Sequence, residues 1–207
     1  EKAFDRDLVD RVDGLISNIA SIADENRLPV LELALPALRG APAQVLDTLI
    51  RLVDALIDLD GHVSLSEMGV FTILKQRLGS PIERAQANDV LYTIADSVRE
   101  ATSLLVTWLA TEDERSEEAV DDSIRRSFEH TEFKGKIARR ANGSGLYSEG
   151  AAAFEQLRHC SMPLKMDFLR GCAALVTSDG KTTTNEANLL RIFAVAMGCP
   201  MPPLGGQ

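Results

Sequence analysis

Apolar residues recur at helical spacing along most of the chain. Between residues 4 and 22 they lie three or four positions apart with acidic residues between them, which predicts an amphipathic helix ending near Asp24. The same spacing predicts helices over residues 42–58, 64–79, 151–160, 161–177 and 183–198. No stretch alternates apolar and polar residues convincingly, as a half-buried strand would. The pattern therefore predicts an all-α fold, a helical bundle with no sheet.

One stretch of the chain occurs twice, as residues 56–81 and 175–200. Each copy consists of an apolar helix, an Asp-Gly turn, a capping-box pattern (Ser or Thr followed three residues later by Glu), a second apolar helix, and Gly-x-Pro. Because internal repetition usually reflects a repeated structural unit, the sequence predicts two related helical corners. The identical pairs are Leu56/Leu175, Asp60/Asp179, Gly61/Gly180, Glu67/Glu186, Ile73/Ile192, Gly79/Gly198 and Pro81/Pro200.

Four other segments are less regular. Residues 27–39 are apolar but contain Pro29 and Pro36, which predicts short helical turns, since proline tends to begin or end a helix.

Residues 82–110 are long enough for one bent helix or two, with a wide apolar face that includes Val90, Leu91 and Ile94. Residues 120–133 predict a surface helix among many charges, and residues 141–150 predict a flexible loop.

These features divide the chain into four parts. Residues 1–41 form an N-terminal helix and a proline-broken segment, and residues 42–111 form the first repeated half. Residues 112–150 form a charged linker helix and a flexible loop, and residues 151–207 form the second half. We expect the two halves to pack around a shared core.

Composition narrows the function classes. The chain has 207 residues and a net charge of −9, which argues against binding nucleic acid or an anionic membrane surface. No apolar run approaches the roughly 18 residues needed to span a bilayer. The odd cysteine count, Cys160, Cys172 and Cys199 in apolar helical stretches, fits buried thiols in a reducing compartment.

The acidic Asp-Gly turn of the first copy invites comparison with a calcium loop. With Gly61 at the sixth position, Leu56 occupies the first ligand position, where an acid or amide belongs. A capping box explains the later acid without any metal, because free N–H groups at a helix start need acceptors. A structural turn is therefore favoured over a calcium site. A weak divalent-metal site formed by Asp58, Asp60 and Glu67, joined by His62, stays open.

No catalytic constellation is evident, and we assign no catalytic or cofactor-binding residue. His159 and Cys160 are adjacent on a predicted helix and so point about 100° apart. His130 lies in a charged segment. The chain contains no H-E-x-x-H, G-x-S-x-G, phosphate-binding loop or dinucleotide-binding motif.

The repeated pattern resembles the TerB-like helical domain associated with tellurite resistance, in which acids sit at the Asp-Gly turn and at the following glutamate. Three stretches also resemble, in this order, the region after the membrane spans of bacterial HtpX-type zinc metallopeptidases. They are RLPVLELALPALRG, VDALIDLDGHVSLSE and ALVTSDGKTTTNEANLLRIFAVAMGCPMPPL. The resemblance covers most of residues 27–204 and excludes residues 112–150.

The resemblance implies two TerB-like repeats and a function. This chain would be the C-terminal noncatalytic regulatory or interaction domain of a membrane-embedded zinc peptidase whose H-E-x-x-H helix lies upstream of Glu1. The zinc would belong to the parent, which acts in membrane-protein quality control. The domain would face the cytoplasm at the bacterial inner membrane and contact a protein partner, its own peptidase domain or further copies. One alternative is a free-standing TerB-like stress-response protein that binds a divalent metal; another is a hydrolase in its own right.

Overall fold

The computed structural model describes residues 6–57, 64–79, 89–111, 116–140 and 147–202. Within these ranges a short 3-10 turn, Ala95–Val98, precedes the fifth helix, and Tyr92 and Cys160 form an isolated bridge without any sheet. The predicted all-α bundle is confirmed. The α-helices are α1 Arg6–Ala20, α2 Asp24–Leu38, α3 Ala43–Ile57, α4 Leu65–Leu78, α5 Arg99–Ala110, α6 Glu117–Ser127, α7 Tyr147–Arg158, α8 Met162–Val176 and α9 Thr184–Ala196.

Helix α5 lies at the centre of the bundle, with every residue from 101 to 110 buried. Its buried hydroxyl groups accept hydrogen bonds from the backbone of residues 138–140. Ser103 Oγ accepts a hydrogen bond from the backbone N–H of Ala138 at 3.2 Å, and Thr107 Oγ1 accepts one from Arg140 at 3.0 Å. Because an unpaired polar group is costly in an apolar core, these bonds fix the position of residues 138–140 against α5.

The two copies of the repeated stretch form helix pairs that contact each other. Helix α3 ends at Ile57 and α8 ends at Val176, which are equivalent positions of the two copies. Helices α4 and α9 pack closely, and a Cβ atom at Gly69 would lie 1.9 Å from Ile192 Cγ2. Only glycine therefore fits at this point of contact. One contiguous cluster of buried residues includes side chains from both pairs.

Both predicted capping boxes are confirmed. Glu67 Oε2 accepts hydrogen bonds from the backbone N–H of Ser64 at 2.9 Å and from its hydroxyl at 2.8 Å. Glu186 Oε2 makes the equivalent bonds to Thr183 at 2.9 and 3.0 Å. Gly180 has a φ of +75°, as the predicted Asp-Gly turn of the second copy requires. These bonds define where α4 and α9 begin.

The expectation of short helical turns over residues 27–39 is wrong, because α2 is continuous and contains Pro29 and Pro36. Each interior proline costs about 3 kcal/mol in an isolated helix. Leu28 and Leu35 lie seven residues apart on the inner face, and both are buried. Burial of the two leucines contributes roughly 3–6 kcal/mol together, which offsets much of the about 6 kcal/mol that the two prolines cost. Tertiary packing therefore overrides local propensity in α2.

Residues 82–110 are predicted to form one bent helix or two, and of their described part only residues 95–110 are helical. Residues 89–94 are extended, and Val90, Leu91 and Ile94 are exposed rather than part of a buried helical face. The backbone of Tyr92 accepts a hydrogen bond from the N–H of Ser161 at 2.8 Å. This segment therefore bonds to the connection between α7 and α8. Residues 80–88 lie outside the described ranges.

The segment predicted as a surface helix, residues 120–133, contributes more to the core than its charges indicate. Phe128 and Phe133 are buried and pack edge to face at a centroid distance of 6.3 Å. Phe168 of α8 lies 5.8 Å from Phe133 and stacks on Phe193 of α9 at 6.1 Å. Helix α6 is thereby joined to the second copy of the repeat. The predicted loop over residues 141–150 is wrong for residues 147–150, which begin α7, and residues 141–146 lie outside the described ranges.

Candidate functional site

Of the three predicted metal ligands, the structure describes only Glu67. Asp58 and Asp60, together with His62, lie outside the described residues. Glu67 is exposed at the first turn of α4, and its Oε2 atom accepts both capping hydrogen bonds from Ser64. A metal ion would therefore compete for a carboxylate that already caps a helix, or would use its other oxygen.

The second copy shows how the same corner works structurally. Glu186, the counterpart of Glu67, is buried and caps α9. Asp179 Oδ1 accepts a hydrogen bond from the backbone N–H of Lys181 at 2.9 Å, which closes a local turn. In the part of the chain that the structure describes, no three His, Cys, Asp or Glu residues are placed to hold a metal ion. The metal site at Asp58, Asp60 and Glu67 stays a prediction.

The three cysteines are buried free thiols, as the sequence indicates. Burial raises the pKa of Cys160 from 9.0 to about 11, although the nearby Lys165 cation opposes the shift. Burial also raises the pKa of Cys172 well above its usual value, and that of Cys199 in the same direction. Because the thiolate is the nucleophilic form, these side chains are unsuited to covalent catalysis.

A cavity of about 590 Å³ lies between α5 and α7, and no pattern in the sequence indicates it. Its charged side chains interact with one another. Arg140 Nη1 lies 3.4 Å from Glu149 Oε2, and His159 Nε2 lies 3.2 Å from Glu155 Oε1. His159 Nδ1 lies 2.8 Å from the backbone oxygen of Asp89. Both ring nitrogens are therefore engaged, which leaves the histidine poorly placed to act as a general base on a substrate.

Helix α1 presents a complete apolar face to solvent. Every residue from Asp10 to Ala20 is exposed. Val12, Leu15, Ile16 and Ile19 follow one another at helical spacing and are 43%, 59%, 56% and 54% exposed. The sequence predicts an amphipathic helix here, and the apolar side of such a helix usually faces a core. In the structure the stripe is uncovered.

Helix α3 carries a second uncovered apolar row. Leu46 and Ile57 face the bundle and are buried, whereas Val45, Leu52 and Leu56 are exposed along another side of the helix. These three residues are seven and four positions apart and therefore share one helix face. Helix α3 thus has an apolar surface wider than the bundle covers.

Exposed apolar side chains are concentrated in the N-terminal helices. Of the fourteen large exposed hydrophobic residues found in the described ranges, nine belong to α1, α2 and α3. No described helix is long and apolar enough to cross a membrane. Clustered apolar exposure on a protein surface commonly marks an interaction site. We therefore take the exposed apolar faces of α1 and α3 as the candidate functional site and call them the N-terminal apolar surface.

The chain was compared with protein-family models, curated proteins and solved structures, and none of them matches it.

Proposed function

We propose that this chain is a noncatalytic protein-interaction domain that uses its N-terminal apolar surface to bind another protein. The supporting observation is the uncovered stripe of α1, where Leu15, Ile16 and Ile19 are each more than half exposed. Burying the α1 stripe would contribute roughly 3–6 kcal/mol before the entropic costs of association. Because the entropic costs of association offset much of this free energy, it favours a regulated or tethered contact over a tight complex of free partners.

We further propose that the parent protein is a bacterial membrane zinc metallopeptidase of the HtpX type that acts in membrane-protein quality control. This part of the proposal depends on the three stretches quoted above, including the two helix corners. The domain would face the cytoplasm beside the membrane spans, and its partner would be its own peptidase domain. The zinc ion would be held by the parent's H-E-x-x-H helix. The gene sequence upstream of Glu1 tests this directly: an H-E-x-x-H motif followed by apolar spans supports it, and a start codon just before Glu1 contradicts it.

The interaction itself can be tested with charged substitutions on the exposed stripe. Leu15→Glu and Ile19→Glu place carboxylates where a partner would bury apolar side chains. We expect the double variant to bind the separately produced membrane part of the parent at least about tenfold more weakly in detergent. Ile94→Glu is the matched control, because Ile94 is 60% exposed but lies outside α1 and α3. Equal binding by the chain and the double variant would contradict the proposed surface.

The proposal that the domain is noncatalytic predicts no peptidase turnover by this chain, with or without added zinc. The physical reasons are the raised thiol pKa values and the mutual engagement of the charged groups in the α5–α7 cavity. A casein-cleavage assay with an inactive-protein blank measures this. Turnover that copurifies with this chain alone, without any other part of the proposed parent, would make it a hydrolase in its own right.

A second candidate function is a free-standing TerB-like stress-response protein that binds a divalent metal through Asp58, Asp60 and Glu67. The exposed position of Glu67 favours this candidate, since one of its oxygens is free of the Ser64 contacts. Calorimetry with calcium, zinc and manganese separates the two. Metal binding that Glu67→Gln weakens and Glu186→Gln leaves intact would support it, and the absence of both heat and thermal stabilisation would exclude it.

A further inference from the structure

A pocket of about 370 Å³ lies where the ends of α2, α4, α7 and α9 meet the start of α8. Four cationic side chains line it: Arg39, Arg77, Arg158 and Lys165. None of its described lining residues is Asp or Glu. The whole chain has a net charge of −9, so this pocket reverses the prevailing charge of the molecule.

The local hydrogen bonds anchor two of these cations without neutralising them. Arg39 Nε donates a hydrogen bond to the backbone oxygen of Arg77 at 3.2 Å, and Lys165 Nζ donates one to that of Met197 at 3.0 Å. Both acceptors lie at the C-terminal ends of helices, where cations are favourable. A guanidinium group has five N–H donors and an ammonium group has three, so each side chain retains donors for another acceptor.

Compensating carboxylates are scarce around the pocket. Arg158 Nη1 lies 3.3 Å from Glu155 Oε2, and Glu155 itself does not line the pocket. In the described part of the chain, no ion pair involves Arg39, Arg77 or Lys165. Burial lowers the pKa of Lys165, Cys199 and Cys160 act to raise it, and the nearby Arg158 charge acts to lower it. The pocket therefore contains positive charge that a bound anion would stabilise.

We propose that this pocket binds an oxyanion, specifically a phosphate group. Arginine side chains bind phosphate oxygens through two parallel hydrogen bonds, and lysine adds a compact positive charge. The start of α8 lies at the same pocket, and its N-cap residue Ser161 makes no side-chain capping bond. Backbone N–H groups at a helix start favour anions, although Pro163 in the first turn of α8 contributes none. The volume accommodates a phosphate group with a small organic body. The proposal does not depend on the protein-interaction role of the chain.

These four cationic side chains could not be recognised as a site in the sequence. Arg39 and Lys165 are far apart in the chain, and no glycine-rich loop or basic run connects them. Their proximity arises only when the ends of five helices come together. No short stretch of the sequence therefore predicts this pocket.

The test measures binding of inorganic phosphate and of phenyl phosphate to the complete chain by calorimetry, with sodium chloride at matched ionic strength as a blank. We expect dissociation constants of about 1 mM or tighter, with no heat from chloride. Arg77→Gln and Arg39→Gln should each weaken binding roughly tenfold. Arg99→Gln, an exposed arginine at the start of α5 that is outside the pocket, should bind as the unsubstituted chain does.

Each outcome has a defined meaning once circular dichroism shows that the variants keep their helical content. Binding of both ligands shows recognition of the phosphate group itself, binding of phenyl phosphate alone shows that the organic part contributes, and binding of inorganic phosphate alone shows a closed site for the free ion. The absence of binding up to about 10 mM would overturn the proposal. Undiminished binding by both pocket variants, or an equal loss in Arg99→Gln, would overturn it as well.

Discussion

At the residue scale, the two capping boxes have the same hydrogen bonds but different surroundings. Glu186 is buried, whereas Glu67 is exposed. We expect Glu186→Ala to lower the free energy of unfolding by about 1–3 kcal/mol, because it removes a buried side chain and leaves the part-buried donors of Thr183 without this acceptor. Glu67→Ala should cost about 0.5–1 kcal/mol, because water can replace its carboxylate. Urea unfolding of the two variants measures both, and a larger loss for Glu67→Ala would contradict the assignment.

Two helical glycines should respond in opposite ways to alanine. A Cβ atom at Gly171 would lie 2.1 Å from Phe128 Cε1, whereas one at Gly14 would meet nothing within 4 Å. Overpacking should make Gly171→Ala destabilising by about 1–3 kcal/mol, despite the better helix propensity of alanine. Gly14→Ala should leave the unfolding free energy unchanged or raise it slightly. Urea unfolding checks the pair, and a stabilising Gly171→Ala would show that α6 and α8 are not in close contact.

The buried thiols give a prediction about pH. Cys160 has a pKa of about 11 in the folded chain, above its ordinary value of 9.0, so the folded state favours the neutral thiol. This contribution to stability is fully present below pH of about 9 and is lost as the pH rises toward 11. At pH 8, iodoacetamide should therefore label the folded chain much more slowly than the urea-unfolded chain. Mass spectrometry measures the labelling, and rapid labelling of the folded chain at Cys160 would contradict this environment.

Residues whose roles depend on local bonds were predictable from the sequence. The capping partners Ser64–Glu67 and Thr183–Glu186 are three positions apart, so the chemistry that joins them can be identified in a short window. Residues that meet only through the tertiary fold were not predictable. Arg140 binds Thr107 through its backbone, and no local pattern connects the two.

At the element scale, α1 differs from the other helices because its described side chains bury nothing. An isolated helix of its length is only marginally stable in water, so tertiary contacts normally supply most of the stability. We expect deletion of residues 1–22 to change the melting temperature by less than about 3 °C, since every residue from Asp10 to Ser21 is exposed. Differential scanning calorimetry measures this change. A larger fall would show that α1 contributes to the core of the isolated chain.

Two elements show why secondary structure was only partly predictable. In α2, the prolines argue for breaks, but burial of Leu28 and Leu35 keeps the helix continuous. In residues 89–94, apolar spacing argues for a helix, but the backbone of Tyr92 bonds to the connection after α7 instead. In both cases a tertiary contact outweighs a local preference, and the sequence does not state which contacts will form.

At the scale of the whole molecule, stability and proposed interaction lie in different places. The buried core includes residues 101–110 of α5 and the stacked rings of Phe168 and Phe193, whereas the N-terminal apolar surface lies on α1 and α3. Amide protection generally follows burial, so regions that bind partners are often the least protected in the free protein. The all-α class was predictable from apolar spacing along the chain. The uncovered surface was not, because an apolar stripe has the same sequence pattern whether it faces a core or a partner.

The most direct test of the proposed interaction domain is amide hydrogen exchange, measured on the chain alone and with the separately produced membrane part of the proposed parent. In the chain alone, α5 should exchange slowest and α1 within the fastest class, because residues 10–20 of α1 are all exposed. With the membrane part present, exchange in α1 should slow by at least about tenfold while α5 stays unchanged. Equal exchange of α1 in both samples would contradict the proposal that α1 is an interaction surface.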